Sequence, residues 1–169
     1  NQDNITTTES GAFIAGGLGD DVLTSTGSGN TYVFEAGDGR DVIVDGAWQG
    51  ANYGPQGASQ LLLGAGLTDA ATTLSHAGGQ LILNLGGEAG PTGDQILING
   101  FDALSAGAPM SIGSVIFAAG TPVNLIDLMG RGFDIEGTQS DDELHGTSLN
   151  DRFSATLGND VLMGGLGAD

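Results

Sequence analysis

Large apolar residues return at nine-residue steps along the front of the chain: Ile5, Ile14, Leu23 and Tyr32, with Ile43 following after eleven. Two places before each lies a second slot, filled by Asp3, Ala12, Asp21, Asn30 and Asp41. This period is neither the spacing of a helical face nor the alternation of one long strand. It predicts short strands separated by tight turns, repeated end to end. One unit, Gly16 to Thr24, reads GGLGDDVLT and fits GGxGxDxUx at every specified position, U being a large apolar residue. Six residues of such a unit turn and three form a strand. Two units complete a coil of 18 residues, so each unit lies over the next but one.

The same frame returns at the other end as GTQSDDELH, GTSLNDRFS, ATLGNDVLM and GGLGAD, from Gly137 to Asp169. Asp142, Asp151, Asp160 and Asp169 hold its sixth position, and Leu144, Phe153 and Leu162 its eighth. Residues 46–133 abandon the frame for short apolar runs: Leu61–Leu63, Leu81–Leu85, Ile96–Ile98, Val115–Phe117 and Val123–Leu128. Ala77-Gly78-Gly79 predicts a hairpin turn between Thr72–Ser75 and Leu81–Leu85. No segment shows capped helical periodicity, so the middle reads as a small β layer. The expected organisation is an N-terminal repeat block over 1–45, a β-rich insert over 46–133 and a C-terminal block over 134–169. Asn1 falls at position four of the frame and Asp169 at position six, so the chain is expected to be a piece of a longer repeat array.

Composition says what the turns are for. Three arginines, no lysine and 21 acids leave a net charge of −18. That excludes a nucleic-acid surface or an anionic membrane surface, both of which need clustered basic residues. No apolar run is long enough for a membrane span, and the polar start is not a signal peptide. Without cysteine, and with only two histidines, a zinc site lacks its usual donors. Sixteen of the acids are aspartate and five are glutamate, a bias towards short carboxylates that tight turns hold beside their own backbone. Hard cations such as calcium take those oxygens, together with carbonyls that glycine-rich turns aim inward.

Stacking places the sixth-position aspartates of alternate units near one another, and two such carboxylates repel unless a cation lies between them. The expected metal pairs are Asp3 with Asp21, Asp21 with Asp41, Asp142 with Asp160 and Asp151 with Asp169. Backbone carbonyls of Gly16, Gly17, Leu18, Gly19, Gly37, Asp38, Gly39, Gly164 and Leu166 are expected to join them, with Asn30 and Asp45 as further candidates. Ala12 with Asn30 brings no charge and is the weak rung. Asp20, Asp141 and Asn150, at position five, are expected to face solvent. His76 and His145 read as ordinary strand-end residues. Arg40, Arg131 and Arg152 read as local partners of surplus carboxylates.

These nonapeptides resemble the RTX, or haemolysin-type, calcium-binding repeats of proteins exported by type I secretion. TYVFEAGDGRDVIVDG, Thr31 to Gly46, is similar to a segment that often ends such a block, and the apolar runs after it are similar to the β-rich segment accompanying these repeats. The resemblance implies an all-β fold: a right-handed parallel β-roll in two calcium-binding blocks flanking a small β-sheet segment. It also implies several bound Ca2+ ions, secretion or display at a bacterial surface, and folding triggered by extracellular calcium. The C-terminal secretion signal expected of the family is not recognisable in this chain. The expected function is a structural, secretion-assisting module serving neighbouring domains of a larger chain, not an enzyme. The alternative is an adhesive module binding glycans or a cell surface through Trp48 and Tyr53 in the loop WQGANYGPQG.

Overall fold

The fold was analysed in a computed structural model that describes residues 2–46, 57–86, 93–118 and 120–169. Five short strands open the chain: β1 (Asn4–Thr7), β2 (Phe13–Ala15), β3 (Val22–Ser25), β4 (Thr31–Phe34) and β5 (Arg40–Asp45). They go alternately to two sheets, β1, β3 and β5 to one and β2 and β4 to the other, all parallel. Asn4 pairs with Val22 and Phe13 with Thr31, the 18-residue offset that the frame demands. Val22 pairs with Val42, so the two extra residues, Phe34 at the buried end of β4 and Glu35 after it, leave the stacking undisturbed.

The middle of the chain extends both sheets. Strand β6 (Ser59–Leu63) lies parallel on β4, and β10 (Ile112–Ile116) lies parallel on β6. Strand β9 (Gln95–Asn99) lies parallel on β5. Beyond it the pairing turns antiparallel through β8 (Gln80–Asn84) and β7 (Thr73–Ala77). The β7–β8 hairpin turns on Gly78 and Gly79, at φ 56 and 78, angles that a β-carbon disfavours. The run Val123–Leu128 departs from the all-strand expectation. Only Val123–Asn124 is strand (β11, antiparallel on β10), and Leu125–Met129 form a single helix, α1. Its five residues bury Leu125, Leu128 and Met129, a span too short to display a period.

Two more parallel pairs follow, again 18 residues apart. Strand β12 (Phe133–Glu136) pairs with β14 (Asp151–Ser154), and β13 (Glu143–His145) with β15 (Val161–Met163). The chain is thus β-rich with almost no helix, in mixed sheets.

One apolar cluster spans both large sheets, from Ile14 and Tyr32 through Leu61, Leu81, Leu83 and Ile98 to Phe133. It is densest in the middle, where alternate residues of β8 and its flank, Leu81, Leu83 and Leu85, are all buried. Each such leucine contributes roughly 1.5–3 kcal/mol. The C-terminal coils add little: Leu144 and Phe153 are half-buried and Leu162 is 49% exposed. They are held to the middle by Phe133, whose ring meets Phe101 and His76, and by Ser148, whose N–H donates to the Ala103 carbonyl and whose hydroxyl accepts from Ala106 N–H.

Candidate metal centre

The turns carry a ladder. At each rung the sixth-position side chain of one coil accepts a hydrogen bond from the backbone N–H of the sixth-position residue one coil earlier. Asp21 Oδ1 accepts from Asp3 at 2.6 Å, and Asp41 Oδ1 accepts from Asp21 at 2.9 Å. Asp160 accepts from Asp142 at 3.1 Å and Asp169 from Asp151 at 3.2 Å. All four aspartate pairs named from the spacing are therefore brought together. Position five forms a second ladder of the opposite sense, with Asp20 accepting from Arg40 N–H, Asp141 from Asn159 and Asn150 from Ala168. Those side chains are exposed and occupied by backbone.

The ladder uses one oxygen of each aspartate. Asp21 and Asp41 are each 1% exposed, and the Oδ2 atom of each is buried without a hydrogen-bond partner. A buried carboxylate oxygen left unmatched is expensive unless something positive meets it. At Asp21 and Asp169, room for that oxygen comes from a glycine at position one. A β-carbon on Gly16 would lie 2.3 Å from Asp21 Oδ2, and one on Gly164 2.3 Å from Asp169 Oδ2.

In two turns of the C-terminal block, threonine at position two supplies a local partner instead. Thr147 gives its N–H to Asp151 Oδ2 at 2.7 Å and its hydroxyl to Oδ1 at 3.0 Å, and Thr138 engages Asp142 in the same way. These clasps lie in the GT positions that depart from the Gly-Gly pattern.

Asp94 escapes the nonapeptide frame but belongs to the site. It accepts from Gly37 N–H at 2.7 Å and Gly39 N–H at 3.2 Å, and so pins the last N-terminal turn. The position-six column ends there, because Asp41 is paired with Ile96 on the following strand. Among the proposed carbonyl ligands, that of Asp38 accepts from Gly19 N–H and that of Gly39 from Gln95 N–H. Each keeps a second lone pair for a cation. Asp45 accepts from the Tyr32 hydroxyl at 3.1 Å and the Ser59 hydroxyl at 2.6 Å, on the opposite edge from the Asp21–Asp41 column.

Of the remaining polar candidates, Arg131 pairs with Asp69 at 2.5 Å and Arg152 with Asp134 at 2.6 Å, while Arg40 bonds Gln95. His145 is exposed beside Glu143. His76 packs on Phe101 and Phe133, and burial holds its imidazole below the usual range. Trp48 and Tyr53 lie outside the described residues.

Electrostatics follow the geometry. Burial raises the Asp41 carboxyl from the ordinary 3.8 to about 6; the hydrogen bond from Asp21 N–H opposes this, and the charges of Asp21, Asp38 and Asp20 add to it. Burial likewise raises Asp151, against the two Thr147 hydrogen bonds. A raised carboxyl pKa means that the folded chain binds protons more tightly than the unfolded chain. The contribution of Asp41 to calcium-free stability is therefore fullest below 3.8 and is lost as pH rises through about 6. For Asp41 this is on the order of 2–3 kcal/mol. Thermal melts of calcium-depleted protein at about pH 5 and pH 7.5 should show the lower midpoint at the higher pH. An equal or higher midpoint there contradicts the assignment.

The fit to calcium rests on these atoms. Calcium takes six to eight oxygens at about 2.3–2.6 Å and accepts carbonyls as readily as carboxylates. Among the described residues no group of three or more His, Cys, Asp or Glu side chains converges as a metal cluster. Paired aspartates plus turn carbonyls are then the available donor set, and oxygen-only donors suit a hard cation.

A stack of short parallel strands with aspartate ladders along its turns is a repeat architecture whose turns offer oxygen donors that suit a hard cation. Residues 136–169 match the RTX calcium-binding nonapeptide repeat in four copies, and that stretch of the chain consists of such repeats. Repeats of this family bind calcium, and proteins that carry them are typically secreted. A search of curated proteins finds no match to the chain. Among the described residues no helix is long and apolar enough to cross a membrane.

Proposed function

We propose that the chain is a calcium-dependent structural module of a secreted protein, in which calcium bound between coils completes a right-handed parallel β-roll at both ends of a β-rich middle. The observation that carries this reading is the pair of buried, unpartnered carboxylate oxygens on Asp21 and Asp41, stacked one coil apart. Asp3, Asp21 and Asp41 hold ions along one N-terminal edge, and Asp142, Asp151, Asp160 and Asp169 hold them in the C-terminal block. The turn carbonyls complete each shell. When bound, calcium supplies positive charge that offsets carboxylate repulsion. The chain's own residues orient the oxygens through the ladder hydrogen bonds.

The module is structural, not catalytic. Its paired carboxylates are engaged in the ladders. The cleft of about 340 Å³ lined by Leu67, Phe117 and Val123 carries one acid, Asp69, already paired with Arg131. Its work is done for neighbouring domains of a larger secreted or surface protein, which it helps to fold outside the cell.

Isothermal titration of the calcium-free chain tests the binding step. Calcium should bind at several sites with dissociation constants of about 10⁻⁴–10⁻³ M, as extracellular modules do. Magnesium, which demands a tighter octahedron and sheds water reluctantly, should give little heat. Absence of calcium binding, or an equal magnesium response, removes the proposal.

A further inference from the structure

The two edges of the N-terminal coils are built differently. On one edge position one is Gly16 and position six Asp21, and the second carboxylate oxygen is left without a donor. On the other edge the same two positions are Ser25 and Asn30, both fully buried. Asn30 has no atom left over. Its Oδ1 accepts from Ala12 N–H at 3.0 Å, the same rung bond that Asp21 makes to Asp3. Because that donor is a backbone N–H, it fixes which end of the carboxamide is oxygen. The Nδ2 group therefore faces inward, donating at 2.9 Å to the Gly27 carbonyl and at 2.9 Å to the Ser25 hydroxyl. Above it, Asn30 N–H donates to Ser59 Oγ at 3.1 Å, and that hydroxyl donates to Asp45. Ser59 thus stands at the sixth position of the next coil, where Gln60 pairs with Thr31.

We infer that the Asn30 carboxamide, seated on Ser25, takes the place of a calcium ion, so that the N-terminal coils load calcium along one edge only and Asn30 decides which. The two N–H donors of an amide meet the inward-facing oxygens that a cation would otherwise meet. They do so without charge. Serine for glycine at position one and asparagine for aspartate at position six are then a single coupled change. The Ser25 hydroxyl gives the amide an acceptor, whereas Gly16 leaves a gap for a carboxylate oxygen. Asp41 and Asp160 face alanine at that position, which also offers no acceptor.

The inference rests on the calcium reading above, and the experiment separates the two. In the full chain, Asn30→Asp and Asn30→Ala are compared with the parent by counting bound calcium in equilibrium dialysis and by thermal melts across calcium concentrations. Asn30→Asp exchanges two donors for an unmatched oxygen. It should bind one more calcium than the parent, melt below the parent at low calcium, and recover as calcium rises. Asn30→Ala should leave the ion count unchanged and lower the melting midpoint by about 5 °C even in saturating calcium. A parent that binds no calcium defeats the calcium reading, while the loss in Asn30→Ala would still support a metal-free rung. An unchanged ion count in Asn30→Asp, its failure to recover in calcium, or one ion fewer in Asn30→Ala overturns the inference.

Discussion

Withdrawing calcium is expected to unravel residues 136–169 and the first coil while the middle of the chain keeps its sheets. The reason is the ratio of buried apolar surface to ordered backbone. Each full nine-residue unit of the C-terminal block points one large apolar side chain inward from position eight, and these, Leu144, Phe153 and Leu162, are at best half-buried. Ordering nine residues costs about 9–18 kcal/mol of backbone entropy, against about 1.5–3 kcal/mol for one fully buried leucine. Parallel ladder bonds narrow the gap, but repulsion along the aspartate column widens it, and bound metal is the remaining source of stabilisation. The middle is differently made, with Leu81, Leu83 and Leu85 buried within five residues and Leu61, Ile96 and Ile98 packed around them. Far-UV circular dichroism in chelator should show a large loss of β signal that returns cooperatively with calcium and not with magnesium. Hydrogen exchange should place the loss in the terminal coils. An unchanged spectrum in chelator would defeat the coupling of folding to calcium, and equal loss of protection in β8 and β15 would defeat its localisation.

The coils are legible in the sequence because their contacts are periodic. The interval from Asp3 to Asp21 is the register of β1 on β3, and the interval from Asp21 to Asp41 already contains the two-residue insertion that leaves the stacking intact. The hairpin was equally readable, since Gly78-Gly79 between two apolar runs leaves few other conformations. What escaped was whatever leaves the period. Asp94 reaches Gly37 across 57 residues, and Ser59 reaches Asn30 across 29, so no local spacing points to either. Helix α1 escaped because an apolar run of six residues reads equally as strand or helix until Leu125 and Leu128 are seen to share a buried face. The threonine clasps leave a local mark in the sequence. Gly-Thr at positions one and two looks like a damaged Gly-Gly, yet the threonine N–H and hydroxyl both meet the aspartate four residues on. A repeated turn can thus change residue type while keeping its carboxylate oriented.

Replacing Asp21 by asparagine should reverse its effect on stability according to whether calcium is present. Asp21 is the one N-terminal aspartate bonded on both sides, accepting from Asp3 N–H through Oδ1 and donating its own N–H to Asp41. Asparagine keeps the size and the rung bond to Asp3, so the coil spacing survives. With calcium bound, the substitution removes a charged ligand shared by two proposed sites. Breaking a buried charge pair on one side costs about 3–5 kcal/mol, which for a chain of this size lowers the midpoint by roughly 6–20 °C. Without calcium the sign turns. The Asp21 charge then only repels Asp41, whose raised carboxyl pKa records that repulsion after the larger contribution of burial. An amide also offers donors to turn carbonyls, as Asn30 does to Gly27. The calcium-free variant should match or exceed the parent. Asp3→Asn, at an exposed position in a single pair, should show the same pattern at a fraction of the size. Melts of the three proteins with and without calcium decide the matter. A loss of equal size in both conditions would make Asp21 a purely structural residue, and its neighbours' orphaned oxygens would need another partner.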